Sequence, residues 1–127
     1  MSSTLTVTNL TATNLTDGGG TTSTFANVAS GTAKAWGTKN SAGTSILDSF
    51  NISSLSDNGT GAAQWNYSNN FANVNYCFSS GVRLAGARYI AADNSKILVS
   101  SLEISTFNSS VSYSDIEFGT EMNGDLA

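Results

Sequence analysis

The sequence predicts an all-β fold, an antiparallel β-sandwich or partly open barrel carrying an extended N-terminal arm. Three observations predict it. Only 11% of the 127 residues are charged, and polarity comes instead from 21 Ser, 15 Thr and 14 Asn, with 12 Gly and 0 Pro. Thr favours the pleated, half-buried surface of a strand, whereas Asn, Ser and Gly favour tight turns. Apolar residues then recur at period 2 in short runs, and turn signals interrupt them about every 8–12 residues, the spacing of sandwiches and barrels.

The arm comes first. "LTVTNLTATNLTDGG" from Leu5 repeats every five residues, with Leu5, Leu10 and Leu15 in phase and Val7 on the same apolar row. Alternation with Thr makes the segment extended, broken at Asn9 and Asn14. Five residues of strand span about 17 Å, so three units reach roughly 50 Å. A single extended row of this kind cannot bury itself, so Leu5, Val7, Leu10 and Leu15 are expected to contact sister copies or another protein. "DGGGTTST" from Asp17 breaks regular structure, and its three glycines form a hinge. The expected division is therefore an arm and hinge over residues 1–24 and a β-rich body over 25–127.

The body reads as six to eight strands. "TAKAWGTK" (Thr32–Lys39) carries Trp36 as an anchor, and Asn40–Gly43 turns. Ser45–Ser53 alternates, with Ile46, Asp48, Phe50 and Ile52 on one face. Asp57-Asn58-Gly59-Thr60-Gly61 is a hairpin turn, because Asn-Gly tolerates positive φ. Ala63, Trp65 and Tyr67 share the next face. "SNNFAN" is a loop, after which Val74, Tyr76 and Phe78 face together. Gly81–Asp93 gives no firm strand. Lys96–Phe107 is the longest strand expected. Val111–Phe118 closes the body with a bulge near Asp115, and "GTEMNGDLA" is a polar tail. The expected core is Trp36, Phe50, Ile52, Trp65, Tyr67, Tyr76, Phe78, Ile104 and Phe118.

Chemistry is sparsely provided. The chain has 0 His, the commonest general base and metal ligand. Its 1 Cys, Cys77, allows neither an intrachain disulfide nor a thiolate metal cluster and reads as a packed or half-exposed strand residue. Asp115 and Glu117 share a face if their segment is a regular strand, and such a pair does glycosidase chemistry only when it lines a cleft. They read as a solvated acidic face. Asp48 falls on an apparent core face, which calls for a partner in Lys34 or Arg83, partial exposure, or the opposite strand phase. "DNGTG" has a single carboxylate, too few for Ca²⁺, and "DGGG" lacks the Lys-Ser/Thr of a phosphate loop. No catalytic residue, metal ligand or cofactor is expected.

Net charge is −4 and the five basic residues are scattered, so no basic stripe exists to neutralise nucleic-acid phosphates. No apolar run approaches a membrane span, and the N-terminus lacks the features of a signal peptide. Six Asn-x-Ser/Thr triplets are expected by chance at this composition. Trp36, Tyr89 and Tyr113 are aromatic residues that could stack on sugar rings, though in strands such residues more often build the core.

"GTAKAW" (Gly31–Trp36), "DSFNISSLSDNGTG" (Asp48–Gly61), "FANVNY" (Phe71–Tyr76) and "DIEFG" (Asp115–Gly119) together resemble a module common in tail fibres and related surface proteins of tailed bacteriophages. The resemblance spans Gly31 to about Gly119. Gly37-Thr38-Lys39 departs from it, since the module continues with apolar residues after the Trp. The resemblance implies a non-enzymatic β-structured protein of the virion surface, a homotrimer at or near a fibre end that contributes to host attachment. Its expected partners are two sister copies, other virion proteins (fibre, baseplate or major capsid protein) and a host-surface glycan. Under it, three Thr/Leu arms would intertwine about a threefold axis. A knob on a short arm, with Met1 as the start, also suits a capsid decoration (cement) protein whose arm packs on neighbouring capsid subunits. A polysaccharide-degrading enzyme is the remote third reading.

Overall fold

A computed structural model of the chain describes residues 14–16, 22–24, 31–83 and 86–127. They fall in two units, Met1–Thr32 and Ala33–Ala127. The expected boundary after residue 24 adjoins residues 25–30, which lie outside the described residues. In the first unit β1 (Asn14–Thr16) pairs antiparallel with β2 (Thr22–Thr24), Leu15 opposite Ser23. Thr22–Thr24 is therefore strand, where a break in regular structure was expected. Leu5, Val7 and Leu10 lie outside the described residues.

The second unit is an antiparallel sandwich of two four-stranded sheets. One has the order β4 (Ile46–Phe50), β3 (Ala35–Lys39), β10 (Phe118–Asn123), β7 (Cys77–Val82). The other has the order β5 (Ile52–Asp57), β6 (Ala62–Tyr67), β9 (Ser101–Phe107), β8 (Tyr89–Ala91). The inward faces meet in a core of Ala35, Ala63, Trp65, Tyr67, Phe71, Tyr76, Leu102, Ile104, Phe118 and Met122, with Ile52 and Phe78 half-buried against it.

The stretch "SFNISSLSDNGTG" does not form one alternating strand. It joins the two sheets. Asn51 adopts a left-handed φ of 57° between β4 and β5. Its side chain fixes the crossing: Nδ2 donates to Lys34 O and Asn69 O, each at 3.0 Å, and Oδ1 accepts from Asn69 N at 2.7 Å. Asn is one of the few residues that tolerates this conformation. The kink resets the period-2 phase, so Phe50 and Ile52 part company. Ile52 turns to the core and Phe50 does not. The hairpin that follows is as expected. Gly59 and Gly61 have φ of 115° and 70°, Asn58 N donates to Ala62 O, and Asp57 Oδ1 accepts from Gly59 N. At Gly61 a β-carbon would lie 2.6 Å from Thr106 O, so this glycine is required sterically as well as conformationally.

Two expected core residues point outward. Trp36 and Phe50 are cross-strand partners on the outer face of the first sheet, 36% and 54% exposed. The inward parity of β3 belongs to Ala35, Gly37 and Lys39. Gly37 is inward because the Trp65 indole of the opposite sheet occupies the place of its side chain. Lys39 is inward with its ammonium satisfied, donating to Ile116 O at 2.9 Å and Asn40 O at 3.1 Å above the Phe118 ring. The departure Gly37-Thr38-Lys39 is thus accommodated by packing on Trp65 and by a buried, hydrogen-bonded cation.

The C-terminal residues read as a polar tail are instead the middle of a sheet. β10 pairs with β3 on one side and β7 on the other, burying Phe118, Thr120 and Met122. The run Val111–Phe118 is mostly irregular up to Glu117, with Val111 at φ 59°. The expected long strand Lys96–Phe107 is also divided. Asn94–Lys96 forms a 3-10 turn, and Leu98 and Ser101 exchange backbone hydrogen bonds across a tight reversal, so that Ile97 bridges Leu102. Phe71 lies in the loop expected from "SNNFAN", yet it is buried, whereas Val74 is exposed. Cys77 is exposed.

Candidate functional site

The two outer faces differ in kind. On the β5-β6-β9-β8 sheet the polar side chains satisfy one another. Asn66 Nδ2 donates to Ser54 Oγ and Ser56 Oγ, Gln64 Nε2 to Asn66 Oδ1, and Glu103 accepts from Asn58 and lies 3.6 Å from Lys96 Nζ. Such a face has few unengaged polar groups to offer. At its margin the Tyr113 ring packs tilted against Phe107, with centroids 4.6 Å apart, and Tyr89 is opposite Phe107 in register and exposed.

The outer face of the β4-β3-β10-β7 sheet is different, and register builds it. Strand alternation turns Phe50, Trp36, Glu121 and Ser79 outward as one row across the four strands. The next row is Asp48, Thr38, Gly119 and Gly81. Gly119 and Gly81 are direct partners, so two adjacent strands lack a side chain at the same level. A shallow groove of about 350 Å³ results, lined by Trp36, Thr38, Ser79 and Glu121 over the backbone of Gly37, Gly81, Gly119 and Thr120. Asp48, which looked misplaced on a core face, belongs to this outer face, where it accepts from Ser49 N.

The carboxylates at Asp115 and Glu117 each have a structural partner. Asp115 Oδ1 accepts from Gly61 N at 2.6 Å and pins the β5–β6 hairpin, while Glu117 is ion-paired with Arg83 at 3.4 Å, and Ile116 between them in the chain is buried. Both lie near Lys39, as does Asp57. Burial pulls the Lys39 pKa below its ordinary value, and the carboxylates of Asp115, Asp57 and Glu117 offset part of that shift. Tyr67 and Tyr76 form a second buried polar cluster. Tyr67 Oη donates to Tyr76 Oη at 3.1 Å, and Tyr76 Oη donates to Leu98 O at 3.0 Å. Burial raises both phenols; the shared hydrogen bond raises Tyr67 further and partly lowers Tyr76. Among the described residues no group of three or more Cys, Asp or Glu is placed to hold a metal ion.

Of the residues singled out in the sequence, Trp65, Tyr67, Tyr76 and Phe118 are buried in the core, and Asp57, Asn58, Gly59 and Gly61 make the turn. Trp36 was expected as core and as a sugar-stacking candidate only in principle, and it lines the groove. Glu121, Gly119, Ser79 and Gly81 were missed. The available signal was the alternation Phe118, Thr120, Met122 within "FGTEMN", which marks a half-buried strand despite its polarity.

The fold and this face define an antiparallel β-sandwich that presents one aromatic and acidic sheet surface. No protein-family model, curated protein or solved structure matches the chain.

Proposed function

We propose that the chain is a non-enzymatic bacteriophage virion structural protein, a homotrimeric surface module of tail-fibre-knob type that contributes to host attachment. One observation carries the reading. The four motifs on which the resemblance rests occupy the joints of a single domain. "KAW" enters β3; "SFNISSLSDNGTG" crosses between sheets and turns into β6; Phe71 and Tyr76 of "FANVNY" stack at 4.2 Å in the core; "EFG" opens the central strand β10. Motifs that specify one packing arrangement belong together as a module.

Two measurements test the proposal. Sedimentation of the full chain is expected to give a trimer, and imaging of the assembled particle is expected to place the chain at fibre ends in a few tens of copies or fewer. Hundreds of copies over the shell would favour the capsid decoration reading instead. A monomer at high concentration, absent from particles, would overturn both.

A further inference from the structure

We infer that the groove on the outer face of the β4-β3-β10-β7 sheet is a binding site for a neutral pyranose sugar. The inference deepens the host-attachment reading and rests on it for its purpose in the organism. Its test uses the purified chain, so it can fail or succeed separately from any placement in a particle.

The lining has the two-sided chemistry of a sugar ring. A pyranose has an apolar C–H face and a rim of hydroxyl groups. Trp36 offers a large, partly exposed indole at one wall, the kind of amphipathic ring surface that packs well on apolar faces. Glu121 stands directly opposite Trp36 in register on the neighbouring strand. An ionised carboxylate is acceptor-only, and its hydrogen bonds from hydroxyl donors are the strong, charge-assisted kind. Thr38 and Ser79 add hydroxyls that both donate and accept. The Gly81–Gly119 pair opens the floor, so a flat ring can approach the backbone.

Charge selects among sugars. The lining contains Glu121 and no Lys or Arg, and Asp48 lies in the adjacent row. A uronic or sialic acid, or a phosphate, would meet like charge at Glu121, and the Arg83 guanidinium beyond Gly81 on the same outer face is already ion-paired with Glu117 at 3.4 Å. The volume, about 350 Å³, is at the lower end for small-molecule sites and suits one or two rings. A shallow groove of this kind is expected to bind one ring weakly, on the order of millimolar, and multiple copies in an assembly would raise avidity.

The test is a nuclear magnetic resonance titration of the full chain with methyl glucoside, methyl galactoside and methyl mannoside, and with glucuronate as the acidic probe. The expected result is a saturable shift of the Trp36 indole N–H and the Gly81, Gly119 and Thr120 amides with at least one neutral glycoside. Glu121→Gln is expected to weaken that response roughly three- to tenfold. Gly81→Val is expected to abolish it. A β-carbon at Gly81 meets nothing within 4 Å, so a side chain there enters the open groove rather than the core, and a melting temperature no lower than the parent chain's would verify the fold. No shift with any neutral glycoside, a response equal or stronger with glucuronate, or shifts that Gly81→Val leaves intact would overturn the inference. Shifts at Trp36 that follow protein concentration alone would also overturn it, assigning the face to a second copy of the chain.

Discussion

Gly37 and Trp65 occupy one space between the two sheets: a β-carbon on Gly37 would lie 2.8 Å from Cζ3 and 3.0 Å from Cη2 of the indole. Contacts that short force the ring or a strand to move. Gly37→Ala is therefore expected to destabilise the sandwich by about 1–3 kcal/mol, the usual cost of overpacking. Trp65→Phe removes the indole's outer ring and should relieve the clash. In urea denaturation the double variant is expected to be more stable than the sum of the two single losses predicts. Strict additivity would show that the two residues do not share the space.

The crossing at Asn51 separates conformational from hydrogen-bonding effects. Asn51→Gly keeps access to φ 57° but loses the bonds to Lys34 O, Asn69 O and Asn69 N. A loss of about 1–3 kcal/mol is expected. Asn51→Ala loses the same bonds and adds a left-handed penalty of about 1–2 kcal/mol. Denaturation midpoints should fall in the order Asn, Gly, Ala, and an Ala variant at least as stable as the Gly variant would contradict the strained crossing.

The Tyr67–Tyr76 pair makes the fold sensitive to alkali. Burial raises both phenols above their ordinary value of 10.0. Below that value both are neutral in folded and unfolded chains alike. Above it the unfolded chain ionises while the folded chain resists, so stability is lost as pH rises beyond about 10. Lys39 acts in the opposite sense. Its pKa is lowered from 10.5 by burial, so over the window between its lowered value and 10.5 stability rises with pH. Stability curves measured from pH 8 to 12 are expected to turn downward near 10. Tyr67→Phe should flatten the downward limb while costing about 1 kcal/mol at neutral pH through the lost hydrogen bond.

Removal of the last ten residues tests the placement of β10. A chain ending at Glu117 lacks Phe118, Thr120 and Met122, together with the partner of both β3 and β7. It is expected to lose cooperative unfolding and the near-ultraviolet circular dichroism of Trp65. A chain retaining a sharp transition would contradict the central position of that strand.

The sequence alone determined local features, because local chemistry is enough for them. A chain rich in Thr, Ser and Asn with 0 Pro reads as short strands and turns, and the sandwich has that form. The Asp57–Gly61 turn and the inward parity of Ala63, Trp65 and Tyr67 follow from residues adjacent in the chain. Tertiary structure decided which side of each alternating run is the inside. Period 2 defines two faces but does not choose between them, and on β3 the choice went to Ala35, Gly37 and Lys39 because Trp65 fills the space opposite Gly37. It also decided that one apparent strand at Asn51 serves two sheets, and that a polar-looking terminus is a central strand. Strand order depends on pairings between residues far apart in sequence, whose closure and packing leave no local mark. The groove belongs to this second class: Trp36 meets Glu121, and Gly81 meets Gly119, only because β10 lies between β3 and β7.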